Sequence, residues 1–151
     1  MAGASLTFDD GSGPTTLQPY PDAGADAGHR FRNWIPFPES ARATDNALAD
    51  GRLYTFDFRV GYGASFELPG LPRAVAGDVI RLMHHLEGGG FVDLDTADAN
   101  AATYTDCQLA PGTKPELVAT RDDPNDPRYT LRLSLISMDS TPAPLLCEYA
   151  G

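Results

Sequence analysis

Alternating apolar and polar positions predict a series of short strands between residues 52 and 151. The clearest pattern is YTLRLSLI, residues 129 to 136, whose leucines share one face while Thr130, Arg132 and Ser134 share the other. The run LYTFDFRV, residues 53 to 60, alternates in the same way, and the following VGYGASFEL predicts a glycine-containing turn and another strand. Further strands are predicted at residues 91–96, 103–109, 116–120 and 145–149.

One segment has helical periodicity and predicts a helix near residues 72–87. The apolar residues at helical spacing are Val75, Val79, Leu82, Met83 and Leu86. Pro72 stands near the first turn and Gly88 just past the end, two positions that these residue types favour. His84 and His85 then occupy the last turn, where the helix dipole favours a partly charged imidazole. Adjacent helical side chains point about 100° apart, so this pair is not predicted to chelate one metal.

Residues 1–50 lack sustained periodicity and are predicted to be loop-rich, with one short strand at residues 5–8. Their dense apolar content is confined to the stretch HRFRNWIPFP, residues 29 to 38. Large side chains on an irregular segment must cover something, either the chain's own core or another subunit. The second alternative predicts a subunit interface formed by Arg30, Phe31, Trp34 and Phe37.

The elements predict a single α+β domain that is mainly β. A loop-rich segment, residues 1–50, precedes a β domain, residues 51–151, whose antiparallel strands form a barrel or a sandwich with one flanking helix. The chain has 151 residues with 42% hydrophobic content, which is enough for a core, and 15 Gly and 13 Pro keep its elements short.

The formal net charge of −10 removes the usual source of affinity for nucleic-acid phosphates and for anionic membranes. The start of the chain lacks a basic segment followed by an apolar one, and no run of about eighteen apolar residues occurs. We therefore expect a soluble protein that is not secreted through a cleaved signal and has no membrane partner.

Cys107 and Cys147 are the two cysteines of the chain. Two reduced, half-buried thiols on strands are the favoured interpretation, and a disulfide between them is the alternative. Neither cysteine adjoins a histidine in a local catalytic signature, so a nucleophilic thiol is not predicted.

The acidic residues do not match a known metal or catalytic motif. Asp93, Asp95 and Asp98 resemble a calcium loop, but Ala97 takes its third ligand position and Asp98 takes its glycine position. On a strand Asp93 and Asp95 face solvent together, opposite Val92 and Leu94. The loop RDDPNDPR, residues 121 to 128, has turn composition, and calcium binding at either place stays open.

GYGASF is neither a dinucleotide fingerprint nor a nucleophile elbow, since Phe66 stands where the fingerprint has glycine and Glu67 ends the elbow pattern. No P-loop, H-E-x-x-H or C-x-x-C motif occurs either. The sequence predicts no enzyme, no cofactor and no resident metal.

The order of elements between residues 54 and 136 resembles the distal-tail and minor tail proteins of long-tailed bacteriophages, of the lambda minor tail protein M type. The resemblance lies in LYTFDFRV, in the helix end MHHLEGGG, and in FVDLDT, YTDCQLA and YTLRLSLIS. It implies the tail-tube type of β-barrel, assembled with other tail proteins into a hexameric ring without a cofactor or an active site. Assembly in the host cytoplasm, as the resemblance implies, agrees with reduced cysteines.

A ring through which DNA passes should not bind phosphates, so we expect more acidic than basic residues along its lumen. Asp93 and Asp95 are the candidates for this lining, and a merely soluble outer surface is the alternative. Two other classes of function stay open: a capsid decoration protein that forms trimers, and a carbohydrate-binding β-sandwich that uses Trp34 and Tyr62 as stacking platforms.

Overall fold

The computed structural model describes residues 3–20, 30–44, 55–97, 103–121, 123–137 and 145. These residues form eight strands and one α-helix, α1 (Ala76–Glu87), which a 3₁₀ turn at Arg73–Val75 precedes. The strands are β1 (Ser5–Asp9), β2 (Pro14–Leu17), β3 (Arg32–Thr44), β4 (Thr55–Pro72), β5 (Val92–Asp95), β6 (Thr103–Leu109), β7 (Glu116–Arg121) and β8 (Arg128–Ser137).

All strand pairs are antiparallel, and the sheet has the order β2–β1–β5–β6–β8–β4–β3, with β7 also paired to β8. The predicted α+β class with a mainly antiparallel sheet is therefore confirmed. Within the part of the chain that the structure describes, the sheet does not close into a barrel. It does curl, because the rings of Trp34 in β3 and Tyr104 in β6 lie 6.4 Å apart, whereas a flat sheet would hold those strands roughly 14 Å apart.

The core lies on the inner face of the curled sheet, and α1 covers part of it. In β8 the predicted leucine face is buried, with Leu131 and Leu135 fully covered. The outer face of the same strand carries Arg132, Ser134 and Ile136. Thr130, predicted to share the polar face, is itself buried.

The predicted helix is confirmed in position and in its buried face. Val79, Leu82 and Leu86 are buried in the core, and Met83 packs partly against it. Since each such aliphatic side chain contributes roughly 1.5–3 kcal/mol when fully buried, packing outweighs the cost of about 1 kcal/mol for a glycine such as Gly77 inside the helix.

The glycines that follow the two histidines of the last helical turn end the helix with a Schellman motif. Gly89 donates its N–H to the carbonyl of Leu86 over 3.0 Å, and Gly90 donates to that of His85 over 2.8 Å. Gly88 is the C-cap, just past the helix end as predicted, and the left-handed position is the next residue, Gly89, with φ of 84°. The imidazole Nε2 of His85 donates to the Phe91 carbonyl over 2.9 Å, so this histidine supports the chain reversal into β5.

The predicted turn at VGYGASFEL is wrong, because β4 runs without interruption from Thr55 to Pro72. Gly63 serves close packing instead of a turn. A Cβ there would come within 2.5 Å of the Phe37 ring and 2.6 Å of the Leu135 carbonyl oxygen. Glycine is thus needed where β3 and β8 approach β4 from either side.

Within residues 1–50 the structure has β1, β2 and β3, where the sequence predicted loops and one short strand. Pro36 and Pro38 argue against a strand only when it is central, and β3 is an edge strand. The prediction of residues 5–8 as a strand is confirmed by β1, which pairs with β5. That the whole chain forms a single domain stays a prediction.

Cys107 is fully buried in β6, and its Sγ lies 3.9 Å from the Thr105 carbonyl oxygen. Cys147 and the three other residues that follow Leu145 in the predicted strand at 145–149 lie outside the described residues. Leu145 is described and buried, and its carbonyl accepts the indole N–H of Trp34 over 3.0 Å. Whether the two cysteines pair stays open.

Candidate interaction surface

The outer face of β3, β4 and β8 carries three successive rows of side chains, set by the register of the strands. Phe37, Gly63 and Ile136 lie opposite one another and form an apolar row. The next row joins Ile35 to two hydroxyl residues, and the third contains charged residues. We call the group Ile35, Phe37 and Ile136 the outer apolar patch.

Exposure is greatest at Ile35, of which 62% is accessible to solvent. Phe37 and Ile136 are half-buried, in part because the Phe37 ring covers Gly63. Single exposed aliphatic residues are common on protein surfaces, but three neighbours on one sheet face form a contact area. The outer apolar patch is therefore the best candidate for a subunit contact among the outward-facing side chains of these strands.

The polar side chains of the second and third rows form hydrogen bonds with one another. The hydroxyls of Ser65 and Ser134 are 2.8 Å apart, and Arg132 donates from Nε to the Glu67 carboxylate over 2.7 Å. Asn33 donates to the other oxygen of Glu67 over 2.5 Å. Because the Arg132 side chain is 51% exposed, its ion pair contributes little stability. These rows therefore border the patch with hydroxyl and charged side chains.

The outer edge of β3 beside this patch is short of hydrogen-bond donors. Pro36 and Pro38 face Ala64 and Tyr62 of β4 in the register. A proline has no N–H, and backbone groups alternate between the two sides of a strand, so both proline nitrogens belong to the side that faces away from β4. A further strand approaching this edge would find carbonyls at both positions and no N–H. Side chains of the outer face are thus better placed for a contact than the edge.

Of the four predicted interface residues, two pack on the chain's own core. Phe31 is buried, and its ring lies 4.8 Å from that of Phe66. The Trp34 ring stacks 4.9 Å from Phe66 on the same side. These two take the core-packing alternative that the sequence left open, while Phe37 joins the outer apolar patch and Arg30 is exposed at the end of a described segment.

Trp34 and Tyr62, the two predicted stacking platforms for a sugar, are partly buried and pack against the hydrophobic core. The carbohydrate-binding alternative stays a prediction. Ile35 and Ile136 are contact candidates that sequence reasoning did not select. The signal for Ile35 was strand alternation, since a strand through residues 34 to 37 places Ile35 and Phe37 opposite Trp34.

Asp93 and Asp95 lie on the outer face of β5, while Val92 and Leu94 are buried, as predicted. Each carboxylate accepts a backbone N–H at a residue with positive φ: Asp93 from Asp106 over 3.1 Å, and Asp95 from Ala97 over 3.0 Å. A non-glycine residue in the left-handed region is disfavoured, so these bonds stabilise local backbone geometry. Their predicted place in a ring lumen stays a prediction.

Among residues 3–20, 30–44, 55–97, 103–121, 123–137 and 145, no group of three His, Cys, Asp or Glu side chains could hold a metal ion. Asp98 and Asp122, which belong to the two acidic stretches considered for calcium, are not among them. The same described portion contains no helix long and apolar enough to cross a membrane.

Comparison with known proteins gives a distant structural likeness. No family model matches the chain, and no curated protein matches it. A solved structure described as "Tail of empty GTA particle computed with helical refinement, C6 symmetry" contains a similar chain, at 12% identity and a TM-score of 0.40. The match covers 94% of this chain and 93% of that one. A TM-score this low carries no argument about fold or function.

Proposed function

We propose that this protein is a structural component of a bacteriophage tail that forms a ring and acts by subunit assembly, not by catalysis. The order of elements that resembles distal-tail and minor tail proteins supports the proposal, because the helix and the strands on either side of it occur where that resemblance requires them. The contact surfaces of this chain supply the physical argument.

The observation that carries the proposal is the arm formed by β3 and β4. Their pairing continues from Pro38↔Tyr62 to Thr44↔Thr55, beyond Gly63↔Ile136, where the pairing of β4 with β8 ends. No third strand joins this arm in the described parts of the chain. A two-stranded ribbon is at best marginally stable in water on its own. A neighbouring subunit that packs against the arm would provide the missing support.

The outer apolar patch lies at the base of the arm and extends the same contact region. Apolar residues concentrate in the centre of subunit interfaces, with polar residues around them, and the Ser65–Ser134 and Glu67–Arg132 pairs provide such a rim. Because the prolines of β3 remove donors from the adjacent edge, the contact uses side-chain faces. A contact between two different surfaces of identical copies closes into a ring when the rotation permits.

The finer assignment is a hexameric ring in the distal tail or tail tip, built with other tail proteins in the host cytoplasm and carried in the virion. DNA would pass through it without specific binding, since the chain has 21 acidic against 11 basic residues. Asp93 and Asp95 are the proposed lumen residues, since both lie on the outer face of β5.

Electron microscopy of the purified protein, at low and at high concentration, tests this function. We expect closed rings with six-fold symmetry and a lumen that carries more Asp and Glu than Lys and Arg. Trimers would support the capsid decoration alternative instead. Monomers at every concentration, with the arm unsupported, would contradict assembly as the function of this chain.

A further inference from the structure

The turn between β1 and β2, residues 9–14, is bound to α1 through the side chain of Arg81. Arg81 donates from Nε to Asp10 Oδ2 over 2.9 Å and from Nη2 to Asp10 Oδ1 over 2.8 Å. This fork-to-carboxylate geometry is the strong form of an ion pair. Arg81 also donates to the Ser12 hydroxyl over 2.5 Å and lies over the Phe8 ring, 5.7 Å from its centroid.

The backbone of the same turn is held by the preceding carboxylate. Asp9 Oδ1 accepts the N–H of Gly11 over 2.9 Å and that of Gly13 over 3.3 Å. Ser12 donates its hydroxyl to Asp10 Oδ1 over 2.6 Å and its backbone N–H over 3.2 Å. Both the Asp10 carboxylate and the Gly11 nitrogen are thus engaged by other groups.

These two groups are the reactants of a known covalent rearrangement. In an Asp–Gly pair, the glycine lacks a side chain that would hinder its nitrogen from approaching the aspartyl side chain. We propose that Asp10–Gly11 is a latent isoaspartate site, and that Arg81 and Asp9 keep it in the ordinary aspartyl form. This inference does not depend on the proposed function.

The reaction has two steps and balances without an oxidant or a cofactor. The Gly11 nitrogen loses its proton and attacks Cγ of the protonated Asp10 carboxyl, a C–N bond forms, and the hydroxyl leaves as water, which gives a five-membered succinimide. Water then opens the ring. Attack at the original backbone carbonyl leaves the chain connected through Cγ, which is isoaspartate with unchanged mass and one more carbon in the backbone.

The contacts of the turn oppose the first step at both atoms. The hydrogen bonds from Arg81 and Ser12 hold the pKa of the Asp10 carboxyl well below its usual range, and the protonated form that must react is correspondingly rare. The bond from Gly11 to Asp9 stabilises the N–H that must lose its proton. Exposure of Asp10 and Gly11 leaves water free to open any ring that forms.

Peptide mapping after prolonged incubation, with fragmentation that separates aspartyl from isoaspartyl peptides, tests the proposal. Wild type, Arg81→Gln and the control Arg73→Gln are incubated at pH 5 and pH 7.4. We expect about tenfold more isoaspartate at Asp10 in Arg81→Gln than in wild type, since each unit of pKa changes the protonated fraction about tenfold. Arg73→Gln removes the same charge from an exposed residue of the turn that precedes α1 and should behave as wild type.

The second Asp–Gly pair of the chain, Asp50–Gly51, serves as an internal reference in every sample. Its conversion should be the same in all three proteins. Lower pH should accelerate the reaction in every sample, because the protonated fraction of a carboxyl that titrates well below pH 5 rises about tenfold for each unit by which the pH falls. The ratio of isoaspartate at Asp10 between Arg81→Gln and wild type should therefore be the same at pH 5 and pH 7.4. Equal isoaspartate at Asp10 in wild type and Arg81→Gln at both pH values would overturn the proposal.

Discussion

The two halves of the sheet use their side chains in different ways. In the half formed by β2, β1, β5 and β6, carboxylates bind the chain's own backbone, as Asp9, Asp93 and Asp95 all do. The half formed by β8, β4 and β3 instead exposes an apolar patch and extends an arm that no third strand joins among the described residues. In the first half these carboxylates are bound within the chain. The second half presents surfaces that are available for contact with another subunit.

Two adjacent residues show the contrast most sharply. Trp34 stacks on Phe66 and donates to the Leu145 carbonyl, whereas Ile35 is largely exposed on the opposite face of β3. Strand alternation therefore places neighbouring side chains of one apolar stretch on the core face and on the outer face of the sheet. Substitutions at these positions should separate the two processes.

Trp34→Ala should have the largest effect on stability. The change removes the ring that packs on Phe31 and Phe66 and leaves the Leu145 carbonyl without its donor, so we expect a loss of about 3 kcal/mol or more in the free energy of unfolding. Urea denaturation followed by circular dichroism measures it. A loss of assembly with unchanged stability would instead indicate that Trp34 belongs to a subunit interface.

Leu82→Ala should lower the free energy of unfolding by roughly 2–5 kcal/mol, because Leu82 is fully buried where α1 covers the sheet. Ile80→Ala on the exposed side of the same helix is the matched control. If the two variants unfold at the same urea concentration, the helix does not pack as described.

Asp93→Ala should cost about 0.5–1.5 kcal/mol, the usual contribution of one hydrogen bond, because the Asp106 N–H loses its acceptor. Thr103→Ala, at an exposed position on the neighbouring strand, is the control. Hydrogen exchange at the Asp106 amide gives a local readout. Unchanged exchange in Asp93→Ala would mean that the carboxylate serves another purpose.

Pro36→Thr combined with Pro38→Thr should change stability least and association more. Each substitution restores one outward N–H to the edge of β3, so we expect new intermolecular β-structure, visible in the infrared amide I band, and intermediate behaviour in each single variant. Pro111→Thr with Pro124→Thr, at two exposed turn prolines, is the control. Identical spectra in both double variants would show that Pro36 and Pro38 do not prevent intermolecular strand pairing at this edge.

Periodicity allowed the prediction of α1 and of the regular strands because each of them turns one continuous apolar face to the core. In β8 this face consists of Leu131, Leu133 and Leu135. It failed for β3 because Pro36 and Pro38 are read as breakers unless the strand is known to lie at an edge. It failed at Gly63 because close packing and turns favour the same residue. The role of Ile35 depends on the register of β3 against β4, which local pattern does not encode.

The molar mass of Ile35→Asp in solution tests the assembly account most directly. Light scattering after size exclusion should find wild type as a closed oligomer and Ile35→Asp as a monomer, with stability within about 0.5 kcal/mol of wild type, since the residue is a surface position. Thr105→Asp adds the same charge to the exposed outer face of β6 and should leave the oligomer intact. An oligomer of unchanged mass in Ile35→Asp would contradict the outer apolar patch as the subunit contact.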